Sequence, residues 1–142
     1  ARKMLEDVIA SKKALHTLCA MVKAQGGDDE YIKHPEMFEK AKEVIAIKSF
    51  KEGYVKDLEA MTLGLVSMKL GGGLQTTDDV IDHSVGIVLN KKIGDFVKKD
   101  DILLYVHTNH GLSEELRQEI LSAYHFSDDF VAHPILIDEV LS

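Results

Sequence analysis

The chain has 142 residues, of which 45% are hydrophobic, with a formal charge of −7 and a single cysteine. That length suits one domain, or one domain with a piece of another, and buries roughly 68–70% of the unfolded surface without staples. The charge argues against nucleic acid or an anionic membrane as the main partner, lone Cys19 allows no internal disulfide, and no apolar run approaches the ~20 residues of a bilayer span.

The chain opens Ala1-Arg2-Lys3 directly into an amphipathic pattern, with its first methionine, Met4, inside it. No signal peptide is visible, and a reducing, cytoplasmic setting is expected. So abrupt a start predicts a fragment of a longer polypeptide. Residues 3–10 and 12–25 read as two helices split at Ser11, which is expected to N-cap the second. Ala14, Leu15, Leu18, Met21 and Val22 define an apolar face at helical spacing, and Cys19 beside it reads as a small core residue rather than a nucleophile. Gly26-Gly27 supply the helix stop. A polar connector follows, His34-Pro35 disfavours helix at His34, and residues 36–42 are expected to form a short helical turn.

From Glu43 the period changes. Val44–Ile47 and Tyr54–Leu58 read as strands with Gly53 in the bend between them. Residues 60–70 return to helix, apolar enough on all sides to be buried widely. Gly64 in its middle costs about 1 kcal/mol relative to Ala, which predicts close packing against a neighbour. Gly71–Gly73 end that helix. The loop Leu74–His83 is polar and acidic. Val85–His107 then forms a folded-over β motif: two apolar runs, Val85–Leu89 and Ile102–Val106, flank a bend at Gly94-Asp95. Ile93, Phe96 and Val97 are its anchors, while Lys91, Lys92, Lys98 and Lys99 stay solvated. Ser113 is expected to N-cap a last helix that carries Glu114 and Glu115 in its first turn and ends near Tyr124. Phe130–Val131 and Ile135–Val140 read as terminal strands around Pro134. No sequence repeat is visible.

Candidate chemistry is sparse. Gly71–Gly73 follow a helix and precede none, and no Lys-Ser/Thr pair comes after them, so they read as a helix stop rather than a phosphate cradle. Asp78, Asp79, Asp82 and His83 are the densest set of possible metal ligands, but the central Gly and distal Glu of a calcium loop are missing, and a solvated acidic loop is expected. The seven histidines lack the i,i+4 or Cys/His spacing of zinc sites, and His107 and His110 suit capping or surface roles. Glu114, Glu115 and Glu119 suit the dipole of their helix. Ser67, Ser84 and Ser113 have no nucleophile-elbow context. No catalytic, cofactor-binding or metal residue is therefore assigned.

Two resemblances remain. The Gly94-Asp95 bend, with Ser67-Met68-Lys69-Leu70, resembles biotinyl and lipoyl carrier domains, although Lys69 falls in an apolar helical pattern instead of at a hairpin tip. The second covers nearly the whole chain. Val22-Lys23-Ala24-Gln25-Gly26-Gly27-Asp28, Gly53-Tyr54-Val55 and Ala60-Met61-Thr62-Leu63-Gly64-Leu65 resemble the pyrimidine-nucleoside and thymidine phosphorylases. So do Leu70–Gly73, Asp79–Ile87 and Lys92–Val97, all in the family's order. What the resemblance implies is an α+β fold of the α/β-hammerhead type: a mixed sheet with packed helices and a folded-over β arm. Residues 1–38 would end the catalytic glycosyltransferase region, and 39–142 would be the C-terminal domain. The implied reaction converts a pyrimidine nucleoside and phosphate to the free base and a pentose 1-phosphate, in a homodimer whose domains close over the substrates. The implied phosphate loop and pyrimidine-binding residues have no match here, so the chain itself is expected to be inactive, with the rest of its own enzyme as partner and phosphate as co-substrate of the whole. The loop Gly71–Asp82 is the candidate for interdomain contact. The sequence departs from the family at Leu74-Gln75, where an Arg often follows the glycines, and at Asp100, where Gly is frequent. A carrier domain and a stand-alone interaction module stay open as alternatives.

Overall fold

A computed structural model describes residues 1–74, 76–137 and 139. The chain divides into two compact units, Ala1–Glu39 and Lys40–Ser142. The first is helical: α1 (Arg2–Ala10), α2 (Lys13–Ala24), a single turn α3 (Glu30–Lys33) and a 3₁₀ turn at Pro35–Met37. Ser11 does not cap α2. Its backbone N–H closes α1 on Asp7, its hydroxyl turns back to the Val8 carbonyl, and Lys12, in a left-handed conformation, is the residue that starts α2. At the other end of α2, Gly27 N–H donates to the Val22 carbonyl and Gly26 N–H to that of Lys23, the paired bonds of a Schellman stop. Gly26 has φ +81°, and a Cβ on Gly27 would lie 2.9 Å from a Val22 methyl, so both positions call for glycine. The connector expected after it contains α3, which ends at His34 as the following proline requires. The turn expected over 36–42 is confined to Pro35–Met37.

The second unit is α+β. Its elements are β1 (Glu43–Lys48), β2 (Gly53–Leu58), α4 (Ala60–Ser67) continued by a π turn (Met68–Gly72), β3 (Gly86–Leu89), β4 (Phe96–Val97), β5 (Ile102–Thr108), α5 (Glu114–Ser122) and β6 (Tyr124–Ser127). In place of one mixed sheet there are two antiparallel ones, ordered β1-β5-β3 and β4-β2-β6. The bend at Gly53 thus sends consecutive strands β1 and β2 into different sheets. Strand alternation fills the space between them: Ile47, Leu104 and Val106 from the first sheet meet Val55 and Val97 from the second, with Val66 and Ile120 from the helices. Burying a Val, Leu or Ile fully contributes about 1.5–3 kcal/mol, so this cluster is where the unit's stability resides.

Helix α4 is buried on one side only. Leu63, Val66 and Leu70 face the core, while Met61 (75%) and Leu65 (45%) stay exposed. Gly64 lies on the open side, where an added Cβ would meet nothing within 4 Å, so the close packing expected there is absent. Ser113 does cap α5, accepting from Leu116 N–H at 3.2 Å. The helix stops at Ser122, however, and Tyr124 begins a strand, because β2 offers a free edge that pairs Leu58 with Tyr124. No strand forms over residues 130–137, where Pro134 removes a ladder donor; Asp138 and Val140 of the expected final strand lie outside the described residues.

The folded-over motif forms, with β3 pairing β5 from Gly86↔His107 to Leu89↔Leu104. Of its expected anchors, Val97 is in the core and Ile93 packs against it, whereas Phe96 is exposed and meets the Tyr54 ring edge-on. Lys91 is half-buried instead of solvated. Its bend proves to be two copies of one turn. In Lys92–Asp95, the Asp95 carboxylate accepts from Lys92 N–H (2.8 Å), and Asp95 N–H donates to the Lys92 carbonyl (3.0 Å). In Lys98–Asp101, Asp101 does the same with Lys98 (2.9 and 3.1 Å). The third residue of each turn has positive φ: Gly94 at +93° and Asp100 at +70°. Each turn also docks through the same pair of backbone bonds, the first on Val55 and the second on Ser49 (2.8–2.9 Å). Asp tolerates this backbone better than most residues, which accounts for a non-glycine residue at position 100.

Candidate functional site

The loop singled out in the sequence is closed at its neck. Gly71, at φ +104°, breaks the π turn, and its carbonyl accepts from Asp82 N–H at 2.9 Å. Ends this close over a span of this length define an Ω-type loop. Within it, Thr76 N–H and Oγ1 both donate to the Asp79 carboxylate at 2.8 Å. Val80 is 90% exposed. Met68, Gly71, Gly73, Thr76, Asp79 and Val80 line an open depression of about 320 Å³.

Asp82 anchors the neck. Its carboxylate accepts from the Ser84 hydroxyl (2.6 Å), Ser84 N–H (2.9 Å) and Asn109 Nδ2 (2.7 Å). The two Ser84 hydrogen bonds, then that of Asn109, hold its pKa below the usual aspartate value. Asn109 also donates to Ser84 Oγ (2.8 Å) and accepts from Lys42 N–H (2.8 Å). One side chain at the end of β5 therefore ties the loop neck to the segment that enters β1. Asn109 was not among the sequence candidates; nothing in a lone Asn after a strand distinguishes it from a capping residue.

The other candidates are dispersed. Asp78, Asp79, Asp82 and His83 form no metal-binding set: no group of three His, Cys, Asp or Glu able to hold a metal occurs among the described residues. Lys69 is held by the Glu119 carboxylate at 2.6 and 2.8 Å, an ion pair between the π turn and α5. Ser113 is a helix cap, and Ser84 belongs to the Asp82 cluster. His125 meets Glu59 at 2.7 Å; this hydrogen bond, then that of Thr62, lowers the Glu59 pKa. In the first unit, Cys19 is buried as expected. The Val22–Asp28 string leads into Asp29, which bridges Lys33 (2.9 Å) and Lys23 (3.0 Å) and is held below the usual aspartate range by them. The string is thus a helix stop followed by an ion triad, with its charges already paired.

A family profile described as the pyrimidine nucleoside phosphorylase C-terminal domain matches residues 54–127, the stretch from β2 to β6. The chain belongs to the pyrimidine nucleoside phosphorylase family. It is 46% identical over 109 residues to a pyrimidine-nucleoside phosphorylase of Staphylococcus epidermidis, covering 77% of this chain and 25% of that protein. With a pyrimidine-nucleoside phosphorylase of Staphylococcus aureus it shares 39% identity over all 142 residues, 33% of that protein. The chain therefore spans between a quarter and a third of the length of these relatives. The phosphorylase profile includes α4, the loop neck, the twin turns and Asn109.

Proposed function

We propose that this chain is the C-terminal scaffold of a pyrimidine-nucleoside phosphorylase, which converts a pyrimidine nucleoside and phosphate to the free base and a pentose 1-phosphate. The observation that carries the reading is the family match across β2–β6, together with identity to a named phosphorylase along the whole chain. In this reading the second unit is the hammerhead domain and the first is the end of the glycosyltransferase region. Catalysis rests on positioning phosphate against the sugar and stabilising the departing base in a closed cleft. The chain contributes rigidity to one wall of that cleft, and the working enzyme is a cytoplasmic homodimer of nucleoside salvage.

The Ω-type loop is the element proposed to touch the closing domain. Its neck is fixed by Gly71, Asp82 and Asn109, while Val80 stands out at 90% exposure. Lys69, engaged by Glu119, gives no support to a carrier role. The test is a chimera in which this chain replaces the C-terminal third of the S. aureus relative. Uridine phosphorolysis retained within about tenfold supports the reading. A folded chimera without turnover overturns it.

A further inference from the structure

Residues 130–136 leave the fold without entering a sheet, yet they touch it at two separated points. The Phe130 ring meets Tyr54 edge-on at 5.4 Å, extending the Tyr54–Phe96 contact of 5.0 Å across the second sheet. Three residues on, His133 Nδ1–H donates to the Ile93 carbonyl at 3.2 Å. The backbone of His133 lies so close to the first of the twin turns that a Cβ on Gly94 would sit 2.8 Å from both its N and its Cα. Asp100, the equivalent position of the second turn, is exposed. Leu58, Leu89, Lys92, Ile93, His133 and Pro134 line an open, largely apolar groove of about 560 Å³ beside this segment.

From this geometry we infer that residues 130–136 form a strap latched over the Gly94 bend, with His133 as the latch and Phe130 as the second attachment. Glycine at 94 serves two ends: it supplies the left-handed turn, and it leaves room for the strap to cross. Turn and strap are thereby coupled. A side chain at 94 lifts the strap and widens the groove along Ile93, Leu58 and Leu89, while the equivalent change in the second turn leaves it seated. The strap is a conformational device built on one copy of a duplicated turn, independent of what the enzyme acts on.

Histidine tautomers provide the direct readout. Nitrogen NMR at pH 8 should show His133 carrying its ring proton on Nδ1, in contrast to the neutral side chain of free histidine, which carries its proton mainly on Nε2. Gly94→Ala should return His133 to the free pattern and increase binding of a hydrophobic dye in the groove; Asp100→Ala should do neither. Phe130→Ala, which removes an exposed ring rather than a core residue, should raise the Nε2-protonated fraction and keeps the test decisive if Gly94→Ala does not fold. A free-imidazole pattern in the unmodified chain overturns the proposal. So does a His133 signal unchanged in Phe130→Ala and in any folded Gly94→Ala.

Discussion

The twin turns make a sharp energetic comparison, because equivalent backbone positions carry different residues and different surroundings. Gly94→Ala places a Cβ on a residue at φ +93°, which costs about 1–2 kcal/mol. The same Cβ meets the His133 backbone at 2.8 Å, so the strap must move and its hydrogen bond to Ile93 is lost, adding about 1 kcal/mol. Reduced freedom of the unfolded chain returns roughly 0.5–1 kcal/mol. The net expectation is a loss of about 2 kcal/mol, or roughly 8–16 °C in Tm for a domain of this size. Asp100→Gly relieves a smaller strain, since Asp is among the residues that visit this region, and returns a similar entropy cost. It should stay within about 0.5 kcal/mol of the parent. Urea unfolding followed by far-UV circular dichroism measures both. A Gly94→Ala variant as stable as the parent, or an Asp100→Gly variant that loses as much, would show that the two turns are not distinguished by the left-handed backbone and the His133 contact.

Other expectations follow from single contacts. Tyr124 is buried and its hydroxyl lies 3.1–3.2 Å from the Lys91 and Leu103 carbonyls; Leu103 already accepts two backbone N–H groups, so Tyr124→Phe should cost only about 1 kcal/mol in urea unfolding. Asp82 has a depressed folded-state pKa, so its contribution is complete above the unfolded aspartate value of about 3.9 and is lost as pH falls through the lower folded value. Asp82→Asn should therefore flatten the acid limb of a stability-against-pH curve below about pH 4, and an unchanged slope would remove Asp82 from the account. Asn109→Ala should accelerate amide exchange at Lys42, Asp82 and Ser84 together; exchange that rises at only one of them would mean that the neck and the entry to β1 are not tied. In the first unit, Leu15 and Leu18 are each 39% exposed beside Met21 at 51%. This face should drive self-association, seen as concentration-dependent sedimentation, and a clean monomer at high concentration counts against it.

Where local chemistry decides the backbone, the sequence was readable. Short runs of β-branched, aromatic and other apolar residues located β1, β2, β3 and β5, Gly26 and Gly71 located helix ends, and Ser113 located a cap. What escaped it depends on partners distant in the chain. Nothing local tells that β1 and β2 enter different sheets, and Tyr124 reads as the end of α5 until β2 is present to pair with it. Ser11 is a good cap by type, but left-handed Lys12 moved the helix start past it. Gly64 invited a packing argument that only the open side of α4 could answer. The candidate loop was legible as an acidic segment between glycines and strand, whereas the residue that ties its neck to β1, Asn109, required the fold. The duplicated turn was hidden because only the first Lys and the last Asp of each copy are shared, Lys92/Lys98 and Asp95/Asp101, while Asp100 stands where the first copy has Gly94.

In the proposed reading this chain shapes a phosphorylase without itself breaking the glycosidic bond. Uridine phosphorolysis by the purified 142-residue chain, in excess inorganic phosphate and free of any intact enzyme, addresses it most directly. Uracil release is expected to be no faster than in protein-free buffer. Phosphate-dependent turnover that copurifies with the chain and exceeds that background would contradict it.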